Sequence, residues 1–392
     1  MNTENKINTL SMITLADAVA MIKAGGYKKT YKLLSSPGIG KTSALSKLAT
    51  ELKWSGGVGM QFVYIYVPDK RDISDIGVWI PDMNQTVPVL KFVANPAYYI
   101  DVSRPVFLFL DEIDKATQMV QTLLTPTMTN PKRLGDTYFH PESVTALASN
   151  FSTDGVGDKQ QDHAVNRQTT VFIRNHTGEE WVYGFAIHNN CHATVLSWAL
   201  RKEDLWEMAL LNPNTTNPYI HNPKRAKGLN RAFVSARSLM QASETVWEYE
   251  QGLLTEHQML AALRGEIGDA GALDLASYVS IHTEVPTIAA VCINPAKCVI
   301  PQHPSAQIMT VMSAVSYLGK LCRKEVTIED ANGPLAVSTA LSNWMTYLDT
   351  IPNVECQRLF NDSAKHESKR LFDMITSNPA YSKWANKNEH IL

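Results

Sequence analysis

Short apolar runs separated by polar loops fill the first part of the chain: Thr30 to Leu34, Phe62 to Val67, Val106 to Leu110, Val144 to Ala148 and Thr169 to Ile173. Brief runs of β-branched, leucine and aromatic residues bounded by turn formers predict buried strands. Thr42 to Leu52 and Lys115 to Leu124 carry helical spacing between them. Strand and helix alternate, so a parallel sheet covered by helices is the economical architecture. After Arg174 the texture changes. Glu179 to Ile187, Ala193 to Leu211, Ser238 to Tyr249, Glu256 to Leu263 and Ala270 to Ser280 predict helices, and Ala306 to Leu321, Ile328 to Leu348 and Cys356 to Ile375 predict more. Thr177-Gly178-Glu179-Glu180 has capping-box spacing and marks a boundary near residue 176. Leu211 to Gly228 and Val285 to Pro304, rich in Pro and Asn, predict connectors. The chain divides on this reading into an α/β core (1–175), a helical domain (176–284) and a helical C-terminal extension (285–392).

Composition narrows the picture. At 392 residues, 44% hydrophobic and 19% charged, the chain has the balance of a globular protein with room for more than one core. Its apolar runs fall short of the roughly 20 residues a spanning helix needs. Met1 to Leu10 lacks the basic-then-apolar order of a secretory signal, which predicts a cytoplasmic protein with no membrane partner. A formal net charge of −2 argues against a whole-surface nucleic-acid binder. Five cysteines without CxxC spacing predict reduced thiols. His188, Cys191 and His192 form the only local metal-like cluster, and the lack of a second ligand pair nearby argues against a metal there. Lys224, Arg225, Lys227 and Arg231 make the most basic stretch; with only Phe233 as an aromatic platform it reads as a solvated loop rather than a nucleic-acid contact. Trp181, Trp198, Trp206 and Trp247 read as core anchors.

The candidate chemistry begins at Ser35-Ser36-Pro37-Gly38-Ile39-Gly40-Lys41-Thr42, just after the first strong strand. A phosphate-cradling loop needs inward-facing amides, glycines that let the chain wrap closely, and a helix start behind it. This stretch offers all three, although Ser35 stands where the usual pattern has glycine. Lys41 would reach the β- and γ-phosphates and Thr42 would hold Mg²⁺. Farther on, Val106 to Asp114 reads as a buried strand ending in consecutive acids. Asp111 would complete the magnesium shell and Glu112 would polarise an attacking water.

These two segments resemble the Walker A and Walker B motifs of AAA+ ATPases, and the resemblance extends over about residues 12 to 285. It implies a P-loop AAA+ core with a helical lid, ATP and Mg²⁺ as ligands, and ATP hydrolysis. Pro37, Gly38, Ile39, Gly40, Lys41, Thr42 and Ser43 would wrap the nucleotide. Val144 to Asn150 is similar to the segment ending in the sensor 1 residue, which implies that Asn150 positions the water or the γ-phosphate. His163 to Arg167 resembles the segment carrying the arginine finger. The family's Asp-Arg-Phe is here Asn166-Arg167-Gln168, however, and Arg133 is the rival for that role. Phe233 to Leu239 looks like sensor 2, with Arg237 touching nucleotide. Lys70 to Gly77, Val87 to Tyr99 and Arg264 to Val279 resemble the MoxR-like branch, including variants in tailed phages. The resemblance implies a homo-hexameric ring that remodels a protein client or a von Willebrand A domain partner. A nucleic-acid motor or loader and an ATP-gated scaffold with little hydrolysis are the alternatives.

Overall fold

The computed structural model describes residues 11–83, 87, 89–151, 162–212, 214–222, 232–331 and 333–389. The chain divides into two compact units. One runs to His176 and takes in Met208–Thr215; the other opens at Thr177 and includes everything described from residue 232 on. The basic stretch Lys224 to Arg231 lies outside the described residues.

The first unit is built on strands β1 (Met12–Ile13), β2 (Tyr31–Ser35), β3 (Gln61–Tyr66), β6 (Val106–Asp111), β7 (Val144–Asn150) and β8 (Thr169–Ile173), with β4 and β5 forming a separate hairpin described below. They form one sheet in the order β1-β8-β2-β7-β6-β3, every neighbouring pair parallel. Period-two alternation along β6 explains its unbroken apolar run. Phe107 and Phe109 pack on one face with Leu15 and Ile22 of α1 (Leu15–Gly25) and Leu45 and Leu48 of α2 (Lys41–Glu51). Val106, Leu108 and Leu110 pack on the other with Val120 and Leu124 of α3 (Gln118–Leu124). A strand covered on both faces by helices has no polar face to show, which is why its sequence does not alternate. Each such side chain contributes about 1.5–3 kcal/mol of burial.

Between β3 and β6 an antiparallel hairpin, β4 (Gly77–Asp82) with β5 (Val89–Ala94), stands outside the main sheet. It exposes Trp79, Ile80 and Leu90. Neither it nor β1 was expected from the apolar runs.

The second unit is helical: α4 (Gly178–Gly184), α5 (Ala193–Arg201), α6 (Ala236–Glu250), α7 (Glu256–His282), α8 (Ile288–Ile293), α9 (Pro304–Arg323), α10 (Val337–Leu348), α11 (Val354–Glu367), α12 (Lys369–Thr376) and α13 (Pro379–Lys387). The Thr177 capping box is present, with Thr177 Oγ1 accepting from the Glu180 amide and Glu180 returning the bond. One continuous apolar cluster runs from Trp181 through Leu263 and Leu318 to Trp384. Trp181 and Trp198 are buried in it and Trp206 packs at its edge, while Trp247 donates to Asn190 O. The architecture is therefore the expected one: a parallel sheet flanked by helices, followed by a helical part. Within the long connector expected at 285–304, α8 adds a short helix. No helix among the described residues is long and apolar enough to cross a membrane.

Candidate functional site

The parallel register brings three strand ends together. Asn150 of β7 pairs with Ser35 of β2, and Ala148 pairs with Asp111 of β6, so Asn150 projects two residues past the end of β6. In an open parallel sheet, ligands gather at these carboxyl ends, where helix amides point into the crevice.

The loop from β2 into α2 has the backbone that its glycines permit. Gly38 and Gly40 take positive φ of 78° and 95°, a region L side chains rarely enter. The amides of Gly38, Ile39 and Gly40 donate no described hydrogen bond. A Cβ on Gly40 would meet nothing within 4 Å. The loop thus offers donors without a described partner at a helix start, with open space beside Gly40, the arrangement suited to an anion. His176 Nε2 sits 2.9 Å from Ile39 O and steadies the loop from outside. Thr42 and Ser43 lie in the first turn of α2, and Pro37 in the turn before it.

Lys41 is buried, and its ammonium donates to Ser35 Oγ at 2.6 Å and to Asn150 Oδ1 at 3.3 Å. Asn150 Nδ2 in turn donates to Glu112 Oε1 at 3.1 Å. One amide therefore links the loop's cation to the carboxylate at the end of β6. Ser35 Oγ donates to Ser36 O at 2.8 Å, which leaves its lone pairs facing the lysine.

Glu112 stands in a left-handed turn, φ 55°, just past β6. Its Oε2 accepts from Tyr66 OH at 3.2 Å and pairs with Lys115. Tyr64 OH donates to Asp111 Oδ2, also at 3.2 Å. Burial pushes the Asp111 carboxyl above the ordinary carboxylate range, against the pull of Lys41 and the Tyr64 hydrogen bond. Burial and the neighbouring Asp111 push Tyr64 up to about 12, and burial and Glu112 raise Tyr66, so both phenols keep the protons they donate.

Lys41, Asp111, Glu112 and Asn150 thus converge, with the loop glycines beside Lys41. Other expected residues do not join them by a described hydrogen bond or ion pair. Arg167 follows the short helix Asp162–Val165 and is exposed. Arg133 binds Gly135 O through Nη1 at 2.7 Å and lies 6.0 Å from the centre of the Tyr138 ring. Arg237 belongs to the helical unit, exposed in the first turn of α6 behind the Ser235 cap. Sequence reasoning missed Tyr64, Tyr66, Lys115 and the bond from Lys41 to Ser35. The signal for Tyr66 was latent in the order of strands, since it pairs in register with Asp111. Without knowing that β3 neighbours β6, nothing singles it out.

No family model matches the chain, and no curated protein matches it. Among solved structures, it is similar to a point variant of RuvB from Thermotoga maritima, at 14% identity over 82% of this chain and 89% of that one, TM-score 0.35. It is also similar to domain III of the Thermotoga maritima replication initiation protein DnaA, at 12% identity over 64% and 90%, TM-score 0.34. A full-length MCM homologue from Methanopyrus kandleri aligns at 11% identity over 67% and 53%, TM-score 0.28. At these scores the likeness carries no weight beside the strand order and the site geometry, and the fold rests on those: a parallel α/β sheet with a glycine loop entering a helix, followed by a helical unit.

Proposed function

We propose that the chain binds Mg-ATP and hydrolyses it, as an AAA+ ATPase of MoxR-like type. The observation that carries this reading is the hydrogen-bonded line from Lys41 through Asn150 to Glu112, set beside a glycine loop whose amides make no described hydrogen bond. A phosphate chain laid along that loop meets the amides of residues 38–40 and the charge of the Lys41 ammonium. Thr42 and Asp111 are oxygen donors of the kind magnesium takes, one in the first turn of α2 and one at the end of β6, so the residues fit the ion. Magnesium, when bound, neutralises charge developing on the transferred phosphoryl oxygens.

Glu112 is the base on this reading. A carboxylate has about four lone-pair sites. Tyr66 and Lys115 occupy Oε2, while Asn150 takes one site on Oε1, so the second site on Oε1 is the one left to accept the proton of an attacking water. Asn150 sets the distance between that oxygen and Lys41.

The remaining parts of the proposal rest on the resemblance of the sequence segments. The chain works as a homo-hexameric ring, since a finger arginine, Arg167 or Arg133, has to come from a neighbouring copy. Residues 176–284 act as a lid that Arg237 couples to nucleotide, with 285–392 as an extension. The work done is remodelling of a protein client or a von Willebrand A domain partner. The near-zero net charge supports a protein client over nucleic acid.

The test is ATP turnover by the full chain with and without DNA, compared with Glu112→Gln, together with mass measurement in ATP. Turnover lost in Glu112→Gln and an ATP-dependent ring support the proposal. No turnover and no ring would overturn it, and strong stimulation by DNA would replace the protein remodeller with a loader.

A further inference from the structure

Among the described residues, one group of ligand-type side chains lies outside the nucleotide site: His192, Glu250 and His282. The three belong to the helical unit and mark three helix ends. His192 caps α5, Glu250 is the last residue of α6, and His282 is the last of α7. Glu250 engages both rings at once, Oε2 accepting from His192 Nε2 at 3.0 Å and Oε1 from His282 Nδ1 at 2.8 Å. The ligand atoms all lie within 4.8 Å of one another. The two imidazoles meet edge to face with centroids 5.2 Å apart, and Trp247 covers His192 from another side at 4.5 Å. His192 is 1% exposed, whereas the Glu250 and His282 side chains are 29% and 23% exposed, which leaves an approach from solvent.

We propose that His192 Nε2, the Glu250 carboxylate and His282 Nδ1 form a binding site for a divalent transition metal, zinc in the first instance, with water at the fourth position. Two imidazoles and one carboxylate are a donor set that zinc takes in tetrahedral sites with one open position, whereas magnesium and calcium prefer oxygen alone. Zinc bonds of about 2.0–2.2 Å place neighbouring ligand atoms roughly 3.3 Å apart. The two short contacts therefore open slightly, and the two ring nitrogens draw together.

Each neutral imidazole keeps one proton, which moves from the metal-facing nitrogen to the other. On His282 that nitrogen is Nε2, on a partly exposed ring that water can reach. On His192 it is Nδ1, which now accepts the Thr194 amide at 3.1 Å, so metal binding exchanges one helix-cap bond for coordination. Thr194 itself carries a buried hydroxyl without a described partner, an acceptor two residues along for the relocated proton. Ligating histidines ordinarily hand their second N–H to such an acceptor. A metal here would fasten the start of α5 to the ends of α6 and α7.

Of the local cluster His188, Cys191 and His192, against which the sequence argues as a metal site, only His192 takes part; its proposed partners come from two other helices. His188 Nε2 lies 3.1 Å from Tyr183 O, and Cys191 is a buried thiol pushed up to about 12 by burial.

The experiment uses the full chain after chelator treatment, titrated with zinc chloride in excess magnesium at neutral pH by competition with a chromophoric chelator. Equimolar zinc bound with submicromolar affinity, weakened on the order of a hundredfold or more by His282→Gln, is the expected result. His257→Gln, an exposed histidine elsewhere on α7, should bind as the parent does. Cobalt in place of zinc should give the visible absorption of a four-coordinate ion. His282→Gln lies at a partly exposed helix end and serves where Glu250→Gln fails to fold. Zinc uptake equal in the parent and in His282→Gln, or no equimolar uptake at all, overturns the proposal.

Discussion

The ammonium of Lys41 donates to the hydroxyl of Ser35 at 2.6 Å, although Ser35 stands where a phosphate loop ordinarily has a glycine without a side chain. A small residue suffices for the turn. The hydroxyl does more, because its own proton is committed to Ser36 O and its lone pairs point the lysine along the strand ends. Ser35→Ala should weaken ATP binding by about fivefold, the loss of roughly 1 kcal/mol from one charge-assisted bond partly replaced by water. Lys41→Ala should weaken it by about a hundredfold or more. Titration with a fluorescent ATP analogue separates the two; an unchanged affinity in Lys41→Ala would remove the nucleotide reading altogether.

Tyr66 tests the role given to Glu112. Its phenol holds Oε2 but touches nothing expected to meet phosphate. Tyr66→Phe should leave nucleotide affinity within about twofold and lower kcat by about three- to tenfold, a modest share of what a positioned base contributes. Steady-state turnover and equilibrium binding, measured on the same preparation, check the split between kcat and affinity.

The two arginines differ in what holds them. Arg133 is tied to Gly135 O and rests on Tyr138, whereas the exposed Arg167 has no described side-chain bond. Arg167→Ala should therefore reduce turnover by about 10³-fold with unfolding midpoints and ATP affinity unchanged. Arg133→Ala should instead lower stability by about 1 kcal/mol and alter turnover little. A reversed outcome would transfer the finger to Arg133.

Lys132 offers a pH signature in the first unit. Its ammonium donates to Tyr27 O at 2.9 Å and Ser143 O at 3.0 Å, and burial brings it down to about 8 from 10.5. Between those values the unfolded chain holds a proton that the folded chain has lost, so this group makes stability rise with pH across the window. Below pH 8 both states are charged and the burial cost stands in full. Urea midpoints between pH 8 and 10 should gain about 2–3 kcal/mol more for the parent than for Lys132→Met; parallel profiles would contradict the shift.

In the helical unit, Gly268 interrupts α7 with φ 79°, and a Cβ there would stand 2.6 Å from Ala232 O. Gly268→Ala should destabilise the chain by roughly 2 kcal/mol or more, since both the backbone region and the close approach exclude a side chain. Urea unfolding followed by circular dichroism measures it.

Much of this was legible before any fold was known. The five main strands lie within a residue or two of their apolar runs, because burial on both faces leaves a local mark. The split of residues 256–282 into two helical patterns was also legible, as the glycine at 268 breaks the spacing at the point where the backbone kinks. Less visible were β1, two residues long, and the β4–β5 hairpin, whose exposed Trp79 and Leu90 do not follow the inside-outside pattern that burial writes.

The sequence by itself determined the local chemistry: glycines at 38 and 40 that permit positive φ, a lysine at a helix start, and acids where an apolar strand stops. Those properties are set within a few residues by sterics and burial. Only the tertiary structure decided the partners. Which hydroxyl holds Lys41, which phenol holds Glu112, and that His192 faces Glu250 and His282 rather than Cys191 all depend on strand order and helix packing. Such contacts join residues far apart in the chain, and no local spacing records them.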